Sequence, residues 1–213
     1  MNTMNNRILV IDTETGGLDQ ERHSLLSATV AKITDRWEKI DIRTWFIKQE
    51  SYTVTARALT VNQIDLSLAD EWTPPDTFLK ELLAYLDLPA GIANGEENKR
   101  NLWRIRGKNP AFDAKFLEAF LGSKIYSSIF QHWTECVLQE WYNPLQRLGV
   151  VPIPAKRDLT SLCKIMKIDL DETKMHSSEY DVEMTIALGR KLTEIEDRVR
   201  TLIKRARQDH AKS

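Results

Sequence analysis

The sequence predicts a single α/β domain built on a mixed β-sheet. Three apolar stretches with strand character follow one another over residues 7–14, 25–33 and 40–47, and helical and strand-like patterns then alternate to the end of the chain. A length of 213 residues suits one full-sized core and is short for two. No repeat, low-complexity stretch or Gly/Ser linker divides the chain.

The first strand opens on the continuous apolar run Ile8-Leu9-Val10-Ile11, which suits a strand buried in the middle of a sheet, and Gly16-Gly17 then forces a turn. The next two strands are joined by a short polar turn around Asp35-Arg36, as antiparallel neighbours are. Thr73 and Pro74 read as the N-cap and first residue of a helix, with Phe78, Leu82, Leu83 and Leu86 as its apolar face. A fourth strand fits 102–107. Asn109-Pro110 reads as a second cap pair, Phe112, Phe116 and Phe120 recur along that helix, and Gly122 stops it. Residues 127–147 read as helical. Asp158 caps a short helix, and a long one starts near Ser178 with the seam Leu188, Leu192, Ile195, Val199 and Leu202.

Composition excludes several classes. With 42 % hydrophobic and 29 % charged residues the chain reads as an ordinary globular protein, and most of its six tryptophans are expected in the core. Cys136 and Cys163 have no metal-ligand spacing and make no disulfide framework, so two reduced thiols are expected. The start, MNTMNNRILVID, lacks a signal-peptide pattern, and a cytoplasmic protein without membrane association is expected. The net charge of −1 is unevenly spread: Asp65–Glu97 carries eight acids and one base, Lys99–Lys108 five bases and no acid, and Arg190–Ser213 eight bases and four acids. Basic strips in a neutral protein suit a nucleic acid that must bind and leave; from charge alone they read as solvated faces.

Five residues stand out chemically, each with an ordinary structural explanation of its own. Asp12 and Glu14, two apart on a strand, point to one face just before the glycine turn; paired acids there are costly unless a divalent cation lies between them. They could equally cap the turn and face solvent. Asp113 sits in a first helical turn, where the dipole favours a carboxylate. Asp181 occupies a similar place, with Ser178 as a partner in a capping box. His176 precedes that helix on a loop, where a histidine can serve as a general base near neutral pH.

The order and spacing of these residues carry more than any one of them. VIDTETGGL (10–18), NPAFDAKFL (109–117) and HSSEYDVEMT (176–185) resemble, in order, the three motifs of the DEDDh, or DnaQ-like, 3′→5′ exonuclease superfamily. The segment from Ala56 to Ile64 resembles the loop after the third strand in that family, so the resemblance spans roughly 7–190. Asp-Leu-Thr-Ser-Leu-Cys (158–163) and the third motif are similar to RNase T.

The resemblance implies an RNase H-like fold, a five-stranded mixed sheet whose first three strands are antiparallel and which is flanked by helices. It implies a catalytic domain over 1–190, with 191–213 continuing the last helix as a basic tail. Asp12, Glu14, Asp113 and Asp181 become ligands of two Mg²⁺ or Mn²⁺ ions and His176 the general base. Thr13, Leu18, Lys108, Asn109 and Phe112 become candidate substrate contacts; Phe112 reads as core first and as a base-stacking ring second. The implied activity is hydrolysis of terminal phosphodiester bonds at single-stranded or frayed 3′ ends, releasing nucleoside 5′-monophosphates, with DNA ahead of RNA. An exoribonuclease is the alternative, and a non-catalytic nucleic-acid-binding or polymerase-docking module a more distant one. A homodimer or a polymerase-type protein partner is left open. The chain departs from the family pattern at Lys108, where histidine is common, and at Trp133-Thr134, where an Asp-Thr pair is common. Residues 125–155, with Trp133, Trp141, Pro152 and Pro154, match no member and read as a partner- or substrate-binding insertion or as divergent core.

Overall fold

The computed structural model describes residues 7–210. Lys212 of the basic tail lies outside them. Five strands, β1 (Ile8–Thr15), β2 (Leu25–Ile33), β3 (Lys39–Phe46), β4 (Trp103–Gly107) and β5 (Phe130–Cys136), form one sheet in the order β3-β2-β1-β4-β5. The first three are antiparallel, while β4 runs parallel to β1 and β5 parallel to β4. This is the mixed five-stranded sheet that the resemblance implies. The central place of β1 accounts for its unbroken apolar run, because both faces of that strand are covered.

Helices cover the two faces. Leu9, Ile11, Ala28, Val30, Trp45 and Ile105 point to one side, packed against α2 (Pro75–Tyr85), α3 (Pro110–Leu121) and α4 (Ser123–Ile129). Ile8, Val10, Ala31, Ile33 and Trp37 pack on the other with α5 (Asn143–Arg147), α6 (Leu159–Ile165) and α7 (Ser178–His210). A short helix, α1 (Ala56–Asn62), follows β3 and is capped by the Thr55 hydroxyl. Trp37, Trp45 and Trp103 are buried, Trp72 and Trp141 half-buried and Trp133 exposed. Both cysteines are free thiols. Among the described residues no helix is long and apolar enough to cross a membrane.

Three expectations are corrected. α2 starts one residue late, with Pro74 at the cap and Pro75 first in the helix. Asn109 caps α3 without a side-chain hydrogen bond; it adopts the left-handed region (φ 64°), which asparagine tolerates and which turns the chain sharply from β4 into the helix. Residues 127–147 are not one helical region, because β5 and a five-residue π turn, Leu138–Tyr142, lie within them. β5 is an edge strand whose pairing shifts register between Trp103 and Ile105, and that irregularity erases the period of two by which a strand is recognised.

Candidate active site

β1 carries Asp12 and Glu14 to its C-terminal end. Both belong to rows of aligned residues crossing the sheet, Asp12–Thr29–Thr44 and Glu14–Ser27–Phe46, so their side chains share the α7 face. The Gly16-Gly17 turn ends the strand under steric compulsion. A β-carbon on Gly16 would collide with the Thr53 carbonyl, and one on Gly17 with the His23 ring. The turn is held by Gly16 N–H donating to the Ser24 carbonyl at 2.8 Å, and it leaves Leu18 84 % exposed beside the strand end.

The other two acids come from the two helical layers. Asp113, in the first turn of α3, reaches β1 from one side: its Oδ1 accepts the backbone N–H of Thr13 at 2.9 Å and the Thr13 hydroxyl at 2.8 Å. Asp181, in the first turn of α7, arrives from the other side. α7 is seated by the Ser178 hydroxyl, 2.8 Å from that of Thr29, so Ser178 does not close a capping box with Asp181. Instead Asp181 Oδ1 accepts the backbone N–H of His176 at 3.4 Å. His176 itself is exposed, in the left-handed region at φ 69°.

The four carboxylates form one electrostatic unit. Burial, reinforced by Asp113, Glu14 and Asp181, holds the Asp12 carboxyl well above the usual carboxylate range. Burial, with Asp181 and Asp113 adding, pushes Glu14 up to about 8. Asp113 is pushed up to about 7 by burial, against the opposing pull of its Thr13 hydrogen bonds and Lys108. Burial raises Asp181 as well, opposed by the His176 N–H. Asp12, Glu14 and Asp181 are half-buried, whereas Asp113 is 5 % exposed. Lys108 is the cation whose charge lowers Asp12, Asp113 and Asp181.

Assembled acids of this kind favour a divalent cation, and the all-oxygen donor set suits Mg²⁺ or Mn²⁺. Among the described residues no group of three or more His, Cys, Asp or Glu side chains is already arranged to hold a metal ion.

A groove of about 1000 Å³ opens beside Glu14 and His176, floored by Ser27, Thr44 and Phe46 and walled by Trp72 and the start of α7. Phe46 and Trp72 lie 5.5 Å apart, and Tyr52 meets Trp72 edge-on at 5.7 Å. Asn62 anchors the inner wall, donating to the Thr15 carbonyl at 3.2 Å. Sequence reasoning does not single out Phe46 or Trp72. The cross-strand row from Glu14 to Phe46 is the signal that finds Phe46, and it needs the strand register. Phe112 packs against the core and 4.9 Å from Phe116, with part of its ring accessible. Arg104 and Arg106 are committed to Glu135, at 2.9 and 2.5 Å.

No protein-family model matches the sequence, and no curated protein matches it either. Solved structures do. Escherichia coli Exonuclease I in complex with a dT13 oligonucleotide superposes with a TM-score of 0.70 at 16 % identity, over 92 % of this chain and 42 % of that one. The same enzyme with a dA16 oligonucleotide gives 0.68 at 15 % identity, over 90 % and 41 %. Exonuclease I from Methylocaldum szegediense, described as moderately thermophilic, gives 0.67 at 16 %, over 88 % and 40 %. The chain thus spans about two fifths of the length of these structures, and it shares their RNase H-like exonuclease fold.

Proposed function

We propose that this protein is a metal-dependent 3′→5′ exonuclease acting on single-stranded DNA. The observation that carries this reading is the convergence of Asp12, Glu14, Asp113 and Asp181, drawn from the central strand and both helical layers, into one mutually repelling group at the end of β1. Buried acids that raise one another's pKa cost stability, and a fold retains such a group where it serves a cation or a reaction. The solved structures of the same fold hold single-stranded oligonucleotides, which favours DNA.

In this reading the four acids would hold two Mg²⁺ or Mn²⁺ ions, which would supply Lewis acidity for phosphodiester hydrolysis. His176, on the open rim of the groove, takes the proton from the attacking water. Thr13 fixes the orientation of Asp113, and Lys108 offers positive charge beside the scissile phosphate. Leu18, exposed at the glycine turn, packs against the terminal base. The phosphorus–oxygen bond to the 3′ leaving oxygen breaks, and a nucleoside 5′-monophosphate departs.

The test is incubation with Mg²⁺ or Mn²⁺ and 5′-labelled single- and double-stranded DNA and RNA of matched sequence. A ladder shortening from the 3′ end, strongest on single-stranded DNA and abolished by EDTA, is expected. Endonucleolytic fragments, or cleavage persisting in excess EDTA, would overturn the assignment.

A further inference from the structure

α7 is a 33-residue helix, and only its first part is used by the fold. Leu188 and Leu192 are buried, and Ile195 and Val199 are half-buried against the α6–α7 core. From 201 to 209 every residue is exposed, including Leu202 at 63 % and Ile203 at 44 %. The apolar spacing nevertheless continues without a break: Leu188, Leu192, Ile195, Val199, Leu202 and Ala206 alternate steps of four and three. That is the seam of a helix that packs along another helix. The domain covers the seam as far as Val199 and leaves Leu202 and Ala206 bare.

One flank of the bare stretch is basic. Lys191, Arg198 and Arg205 recur every seven residues on one side of the seam. Farther round the helix Arg200, Lys204 and Arg207 surround Ile203 in a shallow hollow. Arg200 is paired with Glu196 at 2.7 Å, whereas Arg198, Lys204, Arg205 and Arg207 take part in no salt bridge among the described residues. Positions flanking a seam select the partner by charge. A second copy packed antiparallel would set the basic flank of one α7 against that of the other, and like charges there are repulsive. A phosphate chain bound along this stretch would leave Leu202 and Ile203 in water. The basic stretch also lies about 25–40 Å along the helix from Asp181, at 1.5 Å per residue.

We propose that residues 198–209 of α7 dock an acidic amphipathic helix of a partner protein. The partner's apolar stripe packs on Leu202, Ile203 and Ala206, and its carboxylates meet Arg198 and Arg205 on the basic flank. The pairing uses no residue of the carboxylate site and does not depend on the exonuclease reading.

The experiment is fluorescence anisotropy of the full chain with a labelled synthetic helix of about three heptads, leucine at the seam and glutamate on both flanks. A lysine-flanked version of the same peptide is the control. The glutamate peptide is expected to bind and the lysine peptide not to. Raising the salt from about 0.05 to 0.5 M should weaken binding at least about tenfold, as screening requires. Leu202→Ser with Ile203→Ser, and Arg198→Glu with Arg205→Glu, should each cost about tenfold or more. All four side chains are solvent-facing, so circular dichroism of the variants should match the parent. Equal binding of both peptides, or variants that bind as the parent does, would overturn the proposal. So would displacement of the peptide by an oligonucleotide, preferential binding of this stretch to anionic vesicles, or dimerisation through it in the absence of peptide.

Discussion

One oxygen of Asp113, Oδ1, receives both donors of Thr13, the backbone N–H at 2.9 Å and the hydroxyl at 2.8 Å. The contact joins α3 to the central strand at the point where Asp12 and Glu14 flank Thr13. It fixes the orientation of a buried carboxylate. Thr13→Val removes the hydroxyl and keeps the N–H. Without that donor the charged form of Asp113 is less favoured, and its pKa should climb above the value of about 7 that burial sets. Titration calorimetry with Mn²⁺ at neutral pH should show affinity lower by about 10–100-fold, the usual cost of losing a partner that orients a ligand. An unchanged affinity would show that the N–H alone suffices.

The raised carboxyl pKa values set a pH dependence of stability. In the folded chain without metal, Glu14 and Asp113 titrate near 8 and 7, against ordinary values of 4.5 and 3.8. Between those limits the folded state binds more protons than the unfolded state, so stability falls as pH rises. The melting temperature in EDTA should therefore decline from about pH 4.5 to about 8, the window those values define. Mg²⁺ should raise it most at the alkaline end, since only deprotonated acids bind the ion. Asp113→Asn retains an oxygen acceptor for Thr13 while removing a charge. It should flatten the pH profile, reduce the Mg²⁺ response and abolish cleavage. A melting temperature in EDTA that rises over this range would contradict the electrostatic account.

His176 occupies the left-handed region, which alanine adopts poorly and asparagine tolerates. His176→Asn is therefore the cleaner removal of a general base than His176→Ala. Its kcat should fall about 10²–10⁴-fold, the usual contribution of such a base, while the Mg²⁺-induced rise in melting temperature persists. If kcat is unchanged, His176 is outside the mechanism. If the Mg²⁺ response disappears too, the imidazole contributes to metal binding, since the backbone N–H that Asp181 accepts is unchanged by the substitution.

Leu18 is 84 % exposed in the glycine turn, so its side chain contributes little to folding. Leu18→Ala should move the melting temperature hardly at all, in keeping with surface substitutions within about 0.5 kcal/mol. Loss of apolar contact with the terminal base should appear as a higher KM for single-stranded DNA. An equal KM for parent and variant would remove Leu18 from the substrate path.

How much of this was legible in the sequence depends on the physical signal each part emits. β1 announces itself because a strand buried on both faces must be apolar throughout, and α3 because Asn109-Pro110 and the phenylalanine spacing agree. β5 does not, since an edge strand with a register shift need not alternate. The candidate acids can be picked out by spacing. Their convergence is another matter, because Asp12 and Asp113 are brought together by a crossover that no local pattern encodes. Phe46 and Trp72 become visible only once β2 and β3 are in register with Glu14. The basic strip 99–108 reads as one feature in the sequence and divides in the structure: Lys108 faces the acids, while Arg104 and Arg106 turn to Glu135.

That division leads to a test of the arginines. Glu135 spans both guanidinium groups, Arg104 at 2.9 Å and Arg106 at 2.5 Å, and Arg106 also lies over the Trp37 and Trp141 rings at 5.5 and 5.0 Å. The Arg106 side chain is 7 % exposed and that of Glu135 17 %. Glu135→Ala leaves a buried cation without its main counter-charge, a change that costs about 3–5 kcal/mol. Partial exposure of Arg104 places the loss near the lower end, and at about 2–4 °C per kcal/mol for a chain of this size the melting temperature should drop by roughly 6–12 °C. The double variant Arg106→Met, Glu135→Leu removes both charges and keeps apolar volume, so it should regain most of that loss. Below the melting range the double variant should cleave single-stranded DNA with the parent's KM, because Arg106 is engaged with the β4–β5 pairing. A raised KM in a fully folded double variant would place Arg106 on the substrate path and make its pairing with Glu135 a resting arrangement that nucleic acid displaces.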